Sequence, residues 1–516
     1  MLNDKLAGTL KSLIAASFAG LLISACAAQE GGEKGQVESS TPDRKNVVFI
    51  LVDDLGYADI GAYNPDTFYE TPNVDALAQS GVMFTNGYAA NPVCSPSRAA
   101  IMTGKHPTRL QATDWFHADG VPHRAERFQA ALMKEEVASE EVTIGEVFQE
   151  NGYQTAYLGK WHLGEDETVW PEHQGFDVNI GGFSKGHPAA GYFSPYKNPR
   201  LEDGPEGEYL TTRLTDEAVS LIDTFSKNQD PFFMYMAFYT VHTPLQAPAD
   251  LIRKYENKWV EDGKADFADE IQYFADTEEV RKVRIRQNHA KYAAMVEVMD
   301  TSVGRILQAL DDAGVADDTI IVFTSDNGGL STAEGLPTSN LPLRGGKGWL
   351  YEGGIRVPFI VKFPDAANAS TRVDMPVSGQ DFLPSLAAMN GLQSVAVSMS
   401  DGLDFSVLLK EENYNVAEPR PLFWHYPHYS NQGGFPGAAV RLGNMKLLQN
   451  FETGEVQLYN LEEDVGETND IASENPDTVR QLKQLLLEWY QETDAHFLRA
   501  KEGSEERPWE PNITQP

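Results

Sequence analysis

The sequence predicts an α/β fold, in which a large, mixed but mostly parallel sheet is flanked by helices and a small C-terminal antiparallel sheet carries a packed helix. Near-continuous apolar runs, typical of strands buried on both faces, occur at 45–52, 153–159, 231–239 and 319–325. Segments with helical spacing of apolar residues alternate with these runs, which favours parallel strands. After Leu422 the pattern changes to short runs separated by turn residues, which indicates antiparallel strands.

Composition limits the possible functions. The chain has 516 residues, 41% of them hydrophobic, and a formal net charge of −35. The hydrophobic content is ordinary for a soluble globular protein, and the length allows more than one domain. The acidic excess excludes nucleic acid as a partner, because phosphate contacts need a surplus of Lys and Arg. The two cysteines, Cys26 and Cys94, cannot form a disulfide framework.

Residues 1–25 predict an export signal of the lipoprotein type. Two lysines precede an apolar run over 13–23, and small residues follow it. The string Ile-Ser-Ala-Cys at 23–26 resembles a bacterial lipobox, in which Cys26 is lipidated; the alternative is a plain signal peptide with an incidental cysteine. Residues 26–44 are rich in Gly, Glu, Ser and Gln and predict a flexible tether. We therefore expect an exported lipoprotein of the outer membrane, periplasmic or on the cell surface, that touches the membrane only through its lipid.

Two of the buried strands end in oxygen-bearing side chains. Asp53 and Asp54 follow the first apolar run, and Asp326 and Asn327 follow the last. Ligands of α/β sheets bind at the carboxyl ends of strands, where three carboxylates would repel each other unless a hard cation joined them. Oxygen ligands suit Ca²⁺ or Mg²⁺ and argue against zinc. For one pair alone a turn or a helix cap is the simpler interpretation, but two pairs at matched strand ends favour a metal.

Basic side chains follow the other two apolar runs. Lys160 and His162 come after the run at 153–159, and His242 comes after the run at 231–239. A glycine-rich segment, 343–358, contains Lys347, and its glycines permit close backbone approach. Each histidine alone is more simply a packed or capping residue, and the glycine-rich segment alone is more simply a surface loop.

The most specific motif is Cys94-Ser95-Pro96-Ser97-Arg98, which Thr103-Gly104-Lys105 soon follows. A free cysteine is usually a buried structural residue, so the motif alone leaves a catalytic role open. Together with Gly159-Lys160-Trp161-His162-Leu163-Gly164 and the strand ends, it resembles the formylglycine-dependent (type I) sulfatases of the alkaline phosphatase superfamily, including bacterial polysaccharide sulfatases. The resemblance runs from Val47 to Pro358 and implies an alkaline-phosphatase-like catalytic domain over 45–420.

The resemblance implies that a formylglycine-generating maturation enzyme oxidises Cys94 to formylglycine. It further implies that one hydroxyl of the hydrated aldehyde attacks sulfur, and that deprotonation of the other hydroxyl releases sulfate, an exit that a thiol or a serine lacks. A Ca²⁺ ion, or alternatively Mg²⁺, would be held by five residues: Asp53, Asp54, Cys94, Asp326 and Asn327.

The resemblance also implies the remaining catalytic roles. Asp326 would accept the proton of the nucleophile, Arg98 would hold the aldehyde hydrate, and His162 would support the second step. His242 would protonate the leaving oxygen, with Lys347 as the other candidate. The sulfate would be surrounded by three groups: Lys160, Lys347 and His242.

Polar residues in loops of unusual composition and in the C-terminal third are candidates for sugar recognition. Ordinary exposed polarity explains any one of them at least as well. They are His117, His123, Arg124, His187, His425, His428 and Arg441.

The predicted function is hydrolysis of sulfate esters on a sulfated carbohydrate, with algal polysaccharides such as carrageenan or ulvan favoured by export and acidity. The alternatives are a phosphonate or phosphate monoester hydrolase on the same fold, a glycosaminoglycan or aryl sulfatase, and an inactive glycan-binding lipoprotein. We expect a C-terminal α+β subdomain over 421–500 and a tail over 501–516. The sequence leaves the oligomeric state open.

Overall fold

The computed structural model describes residues 44–117, 126–270, 281–364, 366, 369–410 and 419–512. The predicted signal peptide and almost all of the predicted tether lie outside the described residues, as do His123 and Arg124. The strands are β1 (Asn46–Val52), β2 (Val82–Phe84), β3 (Gly87–Tyr88), β4 (Gln154–Gly159), β5 (Val178–Ile180), β6 (Phe232–Ala237), β7 (Phe267–Asp269), β8 (Lys282–Arg284), β9 (Thr319–Ser325), β10 (Phe359–Lys362), β11 (Thr371–Val373), β12 (Val377–Ser378), β13 (Leu422–Tyr426), β14 (Gly437–Leu442), β15 (Met445–Asn450) and β16 (Val456–Asn460).

The helices lie between and after these strands. They are α1 (Pro72–Ser80), α2 (Cys94–Thr103), α3 (Pro107–Leu110), α4 (Ile144–Glu150), α5 (Leu210–Phe225), α6 (Ala249–Lys258), α7 (Ala290–Asp312), α8 (Glu352–Ile355), α9 (Phe382–Met389), α10 (Val395–Ser398), α11 (Val407–Lys410) and α12 (Pro476–Glu492). Among the helices of the described residues, none combines the length and the apolar composition needed to cross a bilayer.

The central sheet has eight strands in the order β11-β2-β10-β9-β1-β6-β4-β5. β9, β1, β6 and β4 run parallel to one another, whereas β10 is antiparallel to both β9 and β2. Val52 lies opposite Ser325, and both Leu51 and Gly159 lie opposite Ala237. The mixed, mostly parallel sheet is therefore confirmed, and the carboxyl ends of four adjacent parallel strands meet at one edge.

Apolar packing fixes these strands in the interior. All residues of β1, β6 and β9 are buried, as the continuous apolar runs predict. The Phe49 and Tyr235 rings stack at 4.6 Å, and Tyr235 also stacks on Tyr157 at 5.2 Å. Each such buried aromatic stabilises the fold by about 1.5–3 kcal/mol relative to an exposed one. The helix α7 contributes a buried apolar face to the same core, as its residue spacing predicts.

The C-terminal part forms a second, antiparallel sheet in the order β13-β14-β15-β16. β14 and β15 form a tight hairpin in which Leu442 lies opposite Met445. The helix α12 packs on this sheet through buried Leu482, Leu486 and Tyr490. The predicted small antiparallel sheet with its helix is confirmed. The sequence pattern did not single out β13, which adds a fourth strand next to the catalytic body.

Candidate active site

The predicted metal ligands converge at the carboxyl ends of β1 and β9. The Asp54 N–H donates to Asp326 Oδ1 at 3.2 Å, and Asn327 Nδ2 donates to Asp54 Oδ1 at 2.8 Å. Asp54 has φ of 61°, a left-handed conformation that turns the chain sharply away from the strand. Potential ligand atoms of Asp53, Cys94 and Asp326 all lie within 4.8 Å of one another.

This donor set fits a hard cation. Three buried carboxylates share the site, and Asn327 Oδ1 is buried without a hydrogen-bond donor among the described residues. A buried oxygen without a partner is costly unless something else satisfies it. Burial, reinforced by the charges of Asp326 and Asp54, raises the pKa of Asp53 well above its usual range. Oxygen donors that are this crowded suit Ca²⁺ or Mg²⁺.

Cys94 is the first residue of α2, and Arg98 lies one turn later. Residues four apart share one face of a helix, so both side chains reach the metal ligands. Arg98 Nε donates to Asp326 Oδ2 at 2.8 Å, and its Nη1 donates to the Lys160 carbonyl at 2.7 Å. Arg98 therefore ties α2 to the ends of β9 and β4. Burial raises the pKa of the Cys94 thiol, so the unmodified side chain is a poor nucleophile.

Two buried lysines pair with the aspartates that follow β1. Lys160 Nζ lies 2.8 and 3.0 Å from the carboxylate oxygens of Asp53. Lys347 Nζ lies 2.8 Å from Asp54 Oδ1 and 2.9 Å from Oδ2. Burial opposes the positive charge of Lys347, but the nearby Asp54 carboxylate raises the pKa of Lys347 well above the usual range. Lys347 is therefore cationic. Two fixed cations thus stand beside Cys94 inside an acidic protein.

The two histidines predicted to be catalytic, His242 and His162, have different surroundings. His242 Nδ1 lies 2.7 Å from the Thr243 carbonyl, so Nδ1 carries the proton, and Nε2 lies 3.8 Å from Asp54 Oδ2. Burial lowers the pKa of His242 to about 3. His162 Nδ1 lies 3.2 Å from Ser95 Oγ, which also accepts from the Phe116 N–H at 3.1 Å. Burial, with the charges of Lys160 and Arg98, lowers the pKa of His162 well below its usual range.

The glycine-rich segment brings Lys347 into the site by close backbone contact. The Lys347 N–H donates to the Gly329 carbonyl at 3.1 Å, and the Gly348 N–H donates to the Pro92 carbonyl at 2.8 Å. A Cβ on Gly328 would lie 1.9 Å from the Gly353 carbonyl oxygen, so only glycine allows this approach. The segment is thus packed between the ends of β9 and the start of α2, rather than forming a free surface loop.

A cavity of about 620 Å³ opens above Cys94. Its lining includes four of the predicted catalytic residues and the predicted recognition residues His117 and His187. It also includes residues that the sequence pattern did not single out, since they lie in irregular loops without a motif. The latter include Glu165, Glu334, Asn431 and Gln432.

The other described recognition candidates lie away from the cavity lining, which corrects that expectation. His425 Nε2 lies 2.7 Å from the His496 carbonyl, and its ring packs in the C-terminal core. His428 is buried with Nε2 2.8 Å from Thr113 Oγ1. Arg441 is buried and donates to Asn86 Oδ1 at 3.0 Å and to the Tyr88 hydroxyl. These hydrogen bonds join the C-terminal sheet to neighbouring segments.

Comparisons with known proteins agree with this geometry. The family model described as Sulfatase matches residues 45–392, and the model described as N-sulphoglucosamine sulphohydrolase, C-terminal, matches residues 346–492. A protein named Sulfatase from Formosa agariphila is 30% identical over 89% of this chain and 89% of its own length. Human N-acetylgalactosamine-6-sulfatase is 29% identical over 76% of this chain and 70% of its own.

A solved structure shares the fold, and its sequence identity to this chain is similar to that of these relatives. The crystal structure of Ps i-CgsB in complex with k-i-k-neocarrahexaose superposes with a TM-score of 0.69 and 29% identity, covering 86% of this chain and 92% of that one. The family model spans the strand ends, the Cys94 helix and the glycine-rich segment that together build the site. The chain therefore belongs to the sulfatase family, whose members are sulfuric ester hydrolases.

Proposed function

We propose that the protein removes sulfate from a sulfated carbohydrate, using formylglycine formed from Cys94 and a bound Ca²⁺ ion, for which Mg²⁺ can substitute. The observation that carries the proposal is the convergence of Cys94, His242 and Lys347 at the floor of one open cavity. A cavity of about 620 Å³ is within the range that encloses small ligands, so it accommodates a sugar unit of a longer chain.

The substrate class is supported by the relatives. Ps i-CgsB binds a neocarrahexaose and shares 29% identity with this chain over most of both lengths. Oligosaccharides of algal galactans such as carrageenan are therefore the first candidates, followed by ulvan. The net charge of −35 does not oppose an anionic substrate here, because Lys160 and Lys347 concentrate positive charge at the reacting group.

The cation and the modified residue have distinct tasks. Asp53, Asp54, Asp326, Asn327 and residue 94 would hold the cation, which would polarise sulfate oxygens and increase the acidity of a nearby hydroxyl. The maturation enzyme would convert Cys94 to formylglycine, which supplies a hydroxyl nucleophile in place of the poorly ionised thiol.

The chain's own residues orient the substrate and move protons. Lys160 and Lys347 stabilise the charge that grows on the sulfate oxygens. Arg98 is held by Asp326 and by the Lys160 carbonyl, so its guanidinium is fixed beside residue 94. Asp326 accepts the proton of the attacking hydroxyl. His162, oriented by Ser95, supports the second step.

His242 donates the proton to the leaving oxygen. Its Nδ1 donates a hydrogen bond to the Thr243 carbonyl, so Nε2 is the ring nitrogen that is available to the substrate. Nε2 can donate only after protonation, and a bound sulfate anion favours the protonated imidazole by adding negative charge nearby. Lys347, which already carries a proton, is the other candidate for this step.

The test is sulfate release from a panel of defined sulfated oligosaccharides, followed by NMR of the sugar. We expect desulfation at one position, and none with the Cys94→Ala variant prepared in parallel. Paired assays on an aryl sulfate and an aryl phosphonate complete the test. A preference for the phosphonate would contradict the proposal.

The proposal also includes lipid anchoring at Cys26, supported by the lipobox-like string at 23–26. Labelled palmitate should enter the wild-type protein in a bacterial host and not the Cys26→Ala variant. Equal labelling of both would contradict it.

A further inference from the structure

The cavity contains a carboxylate that the proposed chemistry does not use. Glu334 lines the cavity together with His242 and Lys347, eight residues after Asp326. A fixed negative charge in a pocket for a sulfate ester opposes binding, because like charges repel. The presence of Glu334 therefore points to a second contact with the substrate that offsets this repulsion.

Glu334 is held in place from two sides. Its Oε2 accepts from Thr243 Oγ1 at 3.0 Å, in the segment after β6. Its Oε1 accepts from Gln432 Nε2 at 2.9 Å and from Asn431 Nδ2 at 3.3 Å, in the segment after β13. An ionised carboxylate has about four acceptor positions, so three bonds fix its orientation and leave further acceptor capacity.

Asn431 provides a second acceptor beside Glu334. Because its Nδ2 donates to the carboxylate, the orientation of the amide is set by that bond. Its Oδ1 is buried and accepts no hydrogen bond from any residue that the structure describes. A buried acceptor without a protein donor needs a donor from outside the protein, which is an ordered water or a ligand group. Sugar hydroxyl groups are donors of this kind.

We propose that Glu334 and Asn431 form an acceptor wall that binds free hydroxyl groups of the sugar unit carrying the reacting sulfate. This inference rests on the proposed function and specifies its substrate. The wall excludes a second sulfate or a carboxylate at the carbon next to the reacting one, since either would meet the Glu334 carboxylate. The preferred substrate unit is therefore a neutral sugar with one sulfate and a neighbouring free hydroxyl.

If Glu334 acted only through its charge, its replacement would affect all substrates alike. The charge of Glu334 also acts on His242 and Lys347, so its loss changes the rate for every substrate. A change common to all substrates leaves their ratio constant. The informative quantity is therefore the ratio of kcat/KM values for two substrates that differ only next to the reacting sulfate.

The experiment uses enzyme whose aldehyde content has been measured, and two disaccharides. One disaccharide carries a single sulfate with a free neighbouring hydroxyl, and the other carries a second sulfate at that neighbouring position. The proteins are wild type, Glu334→Gln and Glu165→Gln. Glu165 also lines the cavity but is not part of the acceptor wall, so it is the matched control for loss of one negative charge.

We expect the wild type to prefer the monosulfated disaccharide by roughly tenfold to a hundredfold in kcat/KM, because a site built for a hydroxyl rejects its replacement. Glu334→Gln should reduce this ratio by about tenfold, whereas Glu165→Gln should leave it near the wild-type value. Thermal melting verifies that each variant is folded.

Two results would overturn the acceptor wall: equal cleavage of both disaccharides by the wild type, or an unchanged ratio in Glu334→Gln. Failure of the proposed function would give a different result. If the proposed function is wrong, aldehyde-containing wild type will release sulfate from neither disaccharide and from no sugar of the panel, and the acceptor wall will have no sugar ligand.

Discussion

Lys347 Nζ lies 2.8 Å from Asp54 Oδ1, although 293 positions separate the two residues in the chain. Burial alone would raise the pKa of Asp54, but Lys347 and His242 hold it well below its usual range. The lysine that contacts sulfate in the proposal thus also compensates a carboxylate of the metal site. The proposal therefore predicts that metal affinity and sulfate affinity are coupled through this one ion pair.

Calcium should stabilise the folded protein through this site. A ligand that binds only the folded state at about 100 times its Kd contributes about 2.7 kcal/mol, which is visible as a higher Tm. The Asp326→Asn variant should lose the calcium-dependent shift in Tm, because it removes a charged donor. The Lys347→Met variant should retain the shift, because it removes a competing cation and no donor.

Exposed Asp311, at the end of α7, provides the matched control as Asp311→Asn. Differential scanning fluorimetry after chelation, with and without added calcium, measures the effect. Equal shifts for Asp326→Asn and the control would contradict the assignment of Asp326 as a ligand.

Loss of the general acid should depend on the leaving group. His242→Ala should lower kcat on a sugar sulfate by about 10²–10⁴-fold, because an alkoxide leaving group needs a proton. On 4-nitrophenyl sulfate the loss should be less than about tenfold, because nitrophenolate leaves without protonation. The exposed His173→Ala variant controls for histidine replacement. If Lys347→Ala shows this leaving-group pattern and His242→Ala does not, Lys347 is the donor.

A buried ionic cluster holds the glycine-rich segment against the C-terminal sheet. Lys446 Nζ lies 2.9 Å from Glu352 Oε1 and 2.8 Å from Glu467 Oε1, and all three side chains are fully buried. Lys446→Met removes the cation that lies between the two buried carboxylates and leaves Glu352 with the longer Arg356 pair at 3.5 Å, so we expect it to lower the free energy of unfolding by about 3–5 kcal/mol. Lys483→Met, an exposed change on α12, should have little effect. Equal denaturation midpoints for both would contradict this prediction.

The same cluster predicts a pH dependence of stability. Burial and the charge of Glu352 raise the pKa of Glu467 to about 7, while Lys446 opposes this shift. Because the folded-state pKa exceeds the unfolded one, the contribution of Glu467 is complete below about pH 4.5 and is lost as the pH rises to about 7. Glu467→Gln should therefore gain stability relative to wild type between these pH values. Denaturant curves of both proteins at both pH values test this prediction. If the difference in free energy of unfolding between Glu467→Gln and wild type is the same at both pH values, the prediction is wrong.

Local patterns were sufficient to predict the parallel core and its site-bearing edge. A continuous apolar run followed by Asp-Asp or Asp-Asn encodes both burial and the end of a strand, so Asp53 and Asp326 could be placed at one edge. The short strands β2, β10 and β13 were not predicted. Their pairing depends on distant partners, as in the antiparallel pair of β10 with β9, and not on local spacing.

Side-chain partners were harder to predict than backbone position. His425 and His187 look alike in sequence, yet one packs in the C-terminal core and the other lines the cavity. Glu334 lies in an irregular loop without a motif, so only the fold brings it beside His242. The residues that line the cavity come from loops after several different strands, and that convergence has no local signature.

The central claim is that residue 94 is an aldehyde when the enzyme works. The most direct measurement is mass spectrometry of the tryptic peptide 46–98 from protein produced in its native host, with the Cys94→Ser variant as a control. The account predicts a peptide in which the CH₂–SH group of Cys94 is replaced by CH=O and which reacts with a hydrazide. An unmodified thiol in active, sulfate-releasing protein would contradict it.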